Sequence, residues 1–302
     1  MSAAPVRIAC IGRAGQTAQA LAACAGGNPA LALFTAGREQ LDLRAPASLV
    51  SFLDAVRPQG VINAAAYNFV DRAESEPDEA MRINAEGPAH LARLCRQRGW
   101  PLIHMSTDCV FDGAKVGVYS EEDPPHPLSA YGRSKLAGEE AVLAEDLSAL
   151  IVRVCWVFSE FGDNFVSKMI ELARRRPGLQ VVSDQIGPPT YAHDIAGALI
   201  AATRARLQDP DNLSGRLHVA SPEAMTRDEM ASAIMAESHA QGGPSASIEP
   251  VLTAQFAAQA LRPLNARLSG LRATAQLGLA FTPWPEALRR SVAGILARTG
   301  EQ

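Results

Sequence analysis

The chain has 302 residues, of which 47% are hydrophobic and 20% charged, with a formal net charge of −4. That balance excludes a broadly basic nucleic-acid surface and supplies no electrostatic pull toward an anionic membrane, so neither is expected as a partner. The length suits one large core or two domains sharing an interface. Five cysteines (Cys10, Cys24, Cys95, Cys109 and Cys155) form no Cys-x-x-Cys pair, which argues against a disulfide framework and against zinc. The start lacks the pattern of a signal peptide, and no apolar run reaches the roughly 18 residues of a membrane span. A soluble cytoplasmic protein is expected.

Residues 6–12 are apolar, rich in β-branched side chains and closed by Gly12, which predicts a buried strand. Helical periodicity follows over 16–26. A second strand is expected at 31–38, a helix at 45–60 and a third strand at 61–66. Residues 78–99 read as a helix bent at Gly87-Pro88, and 101–107 as another buried strand. A helix opening near Tyr131 comes next, then a strand at 149–158. Strands alternating with helices imply βαβ units, hence a parallel sheet with right-handed crossovers. Ligands of such sheets bind beyond the carboxyl ends of the strands, which brings Gly12, Asn63 and Thr107 to one edge.

After residue 160 the pattern is less regular. Helices are expected at 165–178 and 193–206, a strand at 215–221 and a capping box at Thr226–Glu229. The Gly/Pro/Ser-rich stretch 240–250 reads as a loop. The whole predicts an α/β fold: a doubly wound parallel sheet with a smaller C-terminal domain that covers the substrate. The sheet domain takes 1–158 and a returning segment near 188–221; the smaller domain takes 159–187 and 222–302.

"GRAGQTA" places Gly12, Gly15 and Ala18 directly after the first strand. The first glycine permits a tight turn, the second lets backbone approach a pyrophosphate at a helix N-terminus, and a small third residue lets helix and strand pack. An ordinary strand-to-helix turn would look similar, but this one joins the first strand to the first helix, where a dinucleotide is held. The second strand ends in Arg38 rather than an acid, which favours the 2′-phosphate of NADP(H) over NAD(H). Asp42 and Leu43 follow where an adenine edge would lie.

"SAYGRSKLAGE" sets Tyr131 four residues before Lys135 at the start of a helix, so both share one face. Alone, the pair would read as a surface contact. It follows a strand ending Ser106-Thr107, and a glycine turn already sits at the N-terminus. A phenol has an ordinary pKa near 10; a nearby ammonium stabilises the phenolate and brings it toward useful acid–base range. The hydroxyl of Thr107 could orient a substrate carbonyl. Together these make a ketone reductase.

The ordered set "GRAGQ", "INAAAY", "VDRAESEP", "STDCVFDG", "SAYGRSKLAGE", "RVCWVF", "DQIGPPT" and "RPLNARL" resembles the dTDP-4-dehydrorhamnose reductases, among the extended short-chain dehydrogenase/reductases. The resemblance runs to about residue 270. It implies a Rossmann domain with a nucleotide-sugar-binding C-terminal domain, and hydride transfer from a reduced nicotinamide (NADPH by the Arg38 reading, with NADH possible) to the C4 ketone of dTDP-4-dehydro-L-rhamnose. By resemblance Thr107, Tyr131 and Lys135 are catalytic. Gly12, Gly15, Gln16, Asp42, Leu43, Ala64, Ala65 and Ala66 line the cofactor with Tyr131 and Lys135. Val70, Thr107, Trp156, Asn164, Arg262 and Asn265 face the substrate, Arg262 being suited to a diphosphate.

The chain departs from that family at Cys109, where Tyr is usual, and at Asn68-Phe69, where Thr-Ala is usual. Both lie near the substrate and leave a related 4-keto nucleotide sugar as an alternative. Ala20 stands where some relatives place a magnesium-holding carboxylate at a dimer interface, so no metal ligand is named, and both a magnesium requirement and a homodimer stay open. Arg227 and Asp228 replace aromatics common at the start of a later helix. A 4,6-dehydratase would need Glu where Cys109 stands. A non-catalytic NADP-binding subunit, like the regulatory β subunit of methionine adenosyltransferase, would not need the full set Thr107, Tyr131 and Lys135. His104 reads as a hydrogen-bonded core residue, His126 as exposed loop, and Cys109 as packing.

Overall fold

The computed structural model describes residues 4–209, 213–256 and 258–300. Its first half runs β1 (Val6–Ile11), α1 (Gln16–Gly26), β2 (Leu31–Ala36), α2 (Pro46–Val56), β3 (Gly60–Asn63), α3 (Pro77–Met81), α4 (Gly87–Arg98), β4 (Leu102–Thr107), α5 (Ala130–Glu145) and β5 (Leu150–Val154). The second half runs β6 (Val157–Phe158), α6 (Phe165–Ala173), β7 (Gly178–Val182), β8 (Ile186–Gly187), β9 (Thr190–Tyr191), α7 (Ala192–Gln208), β10 (Gly215–Val219), β11 (Met225–Thr226), α8 (Arg227–Ala240), β12 (Ser247–Val251), α9 (Leu271–Leu277) and α10 (Trp284–Gly300).

Six strands form one sheet in the order β10-β5-β4-β3-β1-β2, parallel throughout. The expected α/β doubly wound, Rossmann-like architecture is therefore present. The alternation of side chains along each strand sends two sets to opposite faces. Ile8, Cys10, Ile62, Leu150 and Val152 pack with α1 and α7. Ala9, Ile11, Val61, Leu102 and Ile151 pack with α2 and α4. Because both faces are covered, these strands are nearly uniformly apolar. A third apolar cluster joins α6, α8 and α10 to β7 through Val166, Ile170, Met230, Ile234, Leu288 and Val292.

Strand order reverses between β1 and β3, which leaves a crevice beyond their carboxyl ends. The expected strand at 215–221 is β10; it adds parallel to β5 and returns the chain to the sheet. Several expectations change: the third strand ends at Asn63 and the helix after residue 165 ends at Ala173, short of the expected 66 and 178. The strand expected at 149–158 splits into β5 and β6, because Trp156 adopts the left-handed φ of 43°. The helix expected at 78–99 carries a π-helical segment, Arg82–Glu86, just before Gly87-Pro88. The loop expected at 240–250 hands over to a strand, β12, which pairs in parallel with β7. No helix among the described residues is long and apolar enough to cross a membrane.

Candidate active site

The turn after β1 is built by Gly12, whose φ of 117° few side-chain-bearing residues adopt. A Cβ there would lie 3.4 Å from the backbone of Ala64 and Ala65, so the turn hugs the end of β3. At Gly15 a Cβ would meet nothing within 4 Å: the chain opens there onto the crevice, ahead of the N-terminus of α1. Gln16 is fixed to the other lip by bonds from its amide to the Val157 carbonyl (3.3 Å) and from Ser159 Oγ to its carbonyl oxygen (2.9 Å). Small residues, open backbone and a helix N-terminus suit a dinucleotide diphosphate.

A cavity of about 490 Å³ continues from this turn, lined by Gly15, Gln16, Ala64, Ala65 and Ala66, by Thr107, Tyr131 and Lys135, and by Val70, Trp156, Arg227 and Arg262. Thr107 ends β4. Its hydroxyl donates to Asp108 Oδ1 (3.0 Å) and accepts from the Cys109 amide (3.1 Å). Ser129 caps α5 by accepting from the Gly132 amide (3.1 Å), which starts the helix just before Tyr131. Gly132 cannot carry a side chain, because a Cβ would stand 2.2 Å from the Cys109 carbonyl oxygen. This close approach presses α5 against the end of β4 and brings Tyr131 to Thr107.

Burial raises the Tyr131 phenol well above its ordinary range, helped by Cys109 and Asp108 and opposed by a hydrogen bond with Thr107. Burial lowers Lys135 to about 8, with Glu139 pulling the other way. Lys135 Nζ donates to the Met105 carbonyl at 2.7 Å. The expected depression of the phenol by Lys135 is not seen in the protein alone: the groups acting on Tyr131 are Cys109, Asp108 and Thr107, and burial keeps it a protonated acid. Beneath Lys135, Glu139 accepts two bonds from Arg153 (2.8 and 2.7 Å), one from Arg216 (3.0 Å) and one from Ser106 (2.6 Å). Although burial pushes the Glu139 carboxyl up, Arg153 and these other partners hold it below its usual value. This network escaped sequence reading. Its signal was available, since Tyr131, Lys135 and Glu139 recur every four residues on one helix face.

Over the cavity, Arg262 forms two bonds to Asp71 (3.0 and 2.7 Å), joining segments 191 residues apart. Asp71 is held below the ordinary carboxylate range by that guanidinium. Other expected residues lie elsewhere. Asn164 caps α6 and donates to the Ser159 and Phe161 carbonyls, and it does not line the cavity. Asn265 is buried, and its amide holds the Lys115 and Gly117 carbonyls (2.7 Å each), so it shapes a loop. Leu43 is buried beneath Gly87, and Asp42 is chelated by Arg44. Arg38 is largely exposed, 3.6 Å from Asp42.

His104 is a buried core residue bonded to Asn63 (2.9 Å), kept neutral by burial, and His126 is exposed loop, both as expected. Burial pushes the Cys109 thiol up to about 12, which fits the packing role expected of it. Sequence reading gave Arg227 no site role, yet its guanidinium lines the cavity, stacked 3.5 Å from the centre of the Trp156 ring. Among the described residues, no three His, Cys, Asp or Glu side chains gather as a metal site.

The family model described as "RmlD substrate binding domain" matches residues 6–296. The dTDP-4-dehydrorhamnose reductase of Sinorhizobium fredii is 37% identical over 292 residues, covering 96% of this chain and 98% of its own. The chain belongs to the dTDP-4-dehydrorhamnose reductase family. Solved structures agree. A dTDP-4-dehydrorhamnose reductase from Clostridium acetobutylicum superposes with a TM-score of 0.87 at 29% identity, covering 97% of this chain and 100% of that one. The Bacillus anthracis dTDP-4-dehydrorhamnose reductase, solved in complex with NADP, gives 0.83 at 30% identity, covering 97% and 99%. Within this family fold, Thr107, Tyr131 and Lys135 of this chain share one cavity.

Proposed function

We propose that the chain reduces the C4 ketone of dTDP-4-dehydro-L-rhamnose to dTDP-L-rhamnose, with NADPH preferred over NADH. The observation that carries this reading is the convergence of Thr107, Tyr131 and Lys135 in a cavity that opens from the glycine turn. Gly12, Gly15, Gln16 and Ala64–Ala66 hold the dinucleotide, and the exposed guanidinium of Arg38 supports a 2′-phosphate. Bound there, a reduced nicotinamide supplies the hydride. Residues 1–158 and the returning 188–221 serve the cofactor; 159–187 and 222–302 cover the sugar.

Thr107 orients the ketone oxygen, and Tyr131 gives its proton to that oxygen as the carbonyl becomes an alcohol. Burial favours this direction, because a phenol held above its ordinary pKa is protonated at neutral pH and loses its proton only to a stronger base such as a developing alkoxide. Lys135, one turn further along α5, stabilises the phenolate left behind. Arg262, oriented by Asp71, takes up substrate phosphate.

The test is nicotinamide absorbance with purified protein, NADPH or NADH, and dTDP-4-dehydro-L-rhamnose made in place by the upstream enzymes. The expected result is oxidation of NADPH and an NMR spectrum of dTDP-L-rhamnose. No oxidation while NADPH still binds would overturn the reading in favour of another keto sugar or a non-catalytic role.

A further inference from the structure

The buried and half-buried arginines of this chain divide by what their guanidinium groups meet. Arg153 is held by Glu139, Arg206 donates to the Leu102 and Leu213 carbonyls, and Arg262 is paired with Asp71. Arg227 differs. Among the described residues no carboxylate pairs with it, and its guanidinium makes one weak bond, Nη1 to Met230 Sδ at 3.9 Å. It is sandwiched between aromatic rings instead, 3.5 Å from the Trp156 centroid and 4.9 Å from that of Phe165. Its side chain lines the catalytic cavity, as do those of Arg262, Lys135 and Gln185.

The stack is anchored at both ends. The Arg227 amide, at the N-terminus of α8, donates to the Gln185 carbonyl at 3.1 Å. Trp156 is fixed by its left-handed backbone and by Gly187, where a Cβ would come within 2.7 Å of the indole. The nearby groups are Asp108, Cys109 and Cys155, which favour the charge, and Arg262, which opposes it. Burial brings the guanidinium down to about 10, so it is charged at neutral pH. A half-buried cation with donors unused and a second guanidinium nearby is an incomplete arrangement that an anion between them would complete.

We propose that Arg227 is the second cation of the diphosphate site, gripping the nucleotide sugar's diphosphate together with Arg262, which lines the same cavity. The inference rests on the nucleotide-sugar reading above. It makes Arg227 a substrate-contacting residue at a position where the resembled family usually has an aromatic.

The test titrates dTDP, dTMP and thymidine into the NADP⁺-loaded enzyme by calorimetry, for wild type, Arg227→Met and Arg227→Lys. Arg227→Met keeps the stem over the indole, and Arg227→Lys keeps the charge without the fork. The expected result is that Arg227→Met weakens dTDP by roughly tenfold or more while thymidine and NADP⁺ binding are unchanged, with Arg227→Lys intermediate. If Arg227→Met does not fold, a lowered ratio of dTDP to thymidine affinity in Arg227→Lys supports the inference, and an unchanged ratio overturns it. Wild-type dTDP affinity in the variants would overturn the inference. An equal loss for thymidine would also do so, since it would mean that Arg227 only props Trp156. Wild type that binds NADP⁺ but no dTDP would instead sink the substrate reading beneath it.

Discussion

Lys135 Nζ donates to the Met105 carbonyl at 2.7 Å, so the cation of the site is tied to β4 from inside the protein rather than held by a carboxylate. Burial lowers Lys135 from 10.5 to about 8. At ~1.4 kcal/mol per tenfold change in proton affinity, keeping it charged at pH 7 costs on the order of 3 kcal/mol. Lys135→Met is therefore expected to abolish turnover and yet match or exceed wild type in denaturant stability at pH 7. The sign follows from linkage: between about 8 and 10.5 the unfolded chain binds more protons, so wild type gains stability as pH rises. The gap between variant and wild type should close across that window, as measured by urea unfolding at several pH values. A gap independent of pH would show that Lys135 titrates normally.

Glu139 answers for two cations. Arg153, 1% exposed, and Arg216 both bond to it, and its charge also opposes the burial of Lys135. Glu139→Gln leaves the Arg153 charge buried and unpaired, which is expected to cost about 3–5 kcal/mol of stability. The same change should move the alkaline limb of the pH–rate profile to lower pH, because Lys135 loses the group that favours its cation. In wild type, the depressed Glu139 carboxyl contributes stability above its unfolded pKa, and that contribution is lost as pH falls through its folded one. Urea unfolding of the variant and its pH–rate profile give the two readouts.

Tyr131→Phe removes the proton donor and leaves the ring, which packs with Tyr67, Ala73 and Ala130. Turnover is expected to fall by about 10²–10⁴ while the NADPH dissociation constant stays within roughly twofold. Stopped-flow turnover and fluorescence titration separate the two. Substantial residual activity would mean that the proton comes from elsewhere, with Asp108 as the next candidate, since burial raises its carboxyl toward the protonated form.

The main sheet was legible because its strands are buried on both faces and read as apolar runs, and the glycine turn because Gly12 and Gly15 serve backbone geometry. The pairing of Tyr131 with Lys135 was legible because it is local to one helix. What depends on distant partners was not. Nothing near Arg262 announces Asp71, and β12 was hidden because Ser247–Val251 contains a proline and borrows its order from β7. Trp156 splits an apolar run that propensity would continue, since its left-handed backbone is imposed by packing. The local roles of Asn164 and Asn265 were hidden for the opposite reason: an amide beside a site can cap a helix or hold a loop as readily as it can meet a ligand.

The π-helical turn at Arg82–Glu86 brings the Asn84 carbonyl against α5, where a Cβ on Gly138 would stand 2.0 Å from that oxygen. Asn84 is buried, and its side chain bonds Tyr67 and Ser134, so the turn cannot retreat freely. Gly138→Ala is expected to destabilise by about 1–3 kcal/mol in spite of alanine's higher helix propensity. It should also lower turnover, because α5 carries Tyr131 and Lys135 on the displaced side. Thermal unfolding and turnover together test this; a stabilised Gly138→Ala variant would mean that the two segments are loosely packed.

Asp71 and Arg262 are both partly exposed, so the pair itself adds little stability. Its use is orientation: two bonds from Asp71 fix the plane of the Arg262 guanidinium, and the Ala260 amide also donates to Asp71 (3.1 Å), anchoring the strap that carries Arg262. Asp71→Asn keeps the shape and removes the charge. It is expected to raise KM for the nucleotide sugar by roughly three- to tenfold, with kcat and the melting temperature nearly unchanged, since a neutral amide holds the guanidinium less firmly. Arg262→Met should raise KM further, and the double variant should be no worse than Arg262→Met alone, because Asp71 then has nothing left to orient. Steady-state kinetics on the three variants decide it, and additive losses in KM would show that Asp71 acts on the substrate by a route of its own.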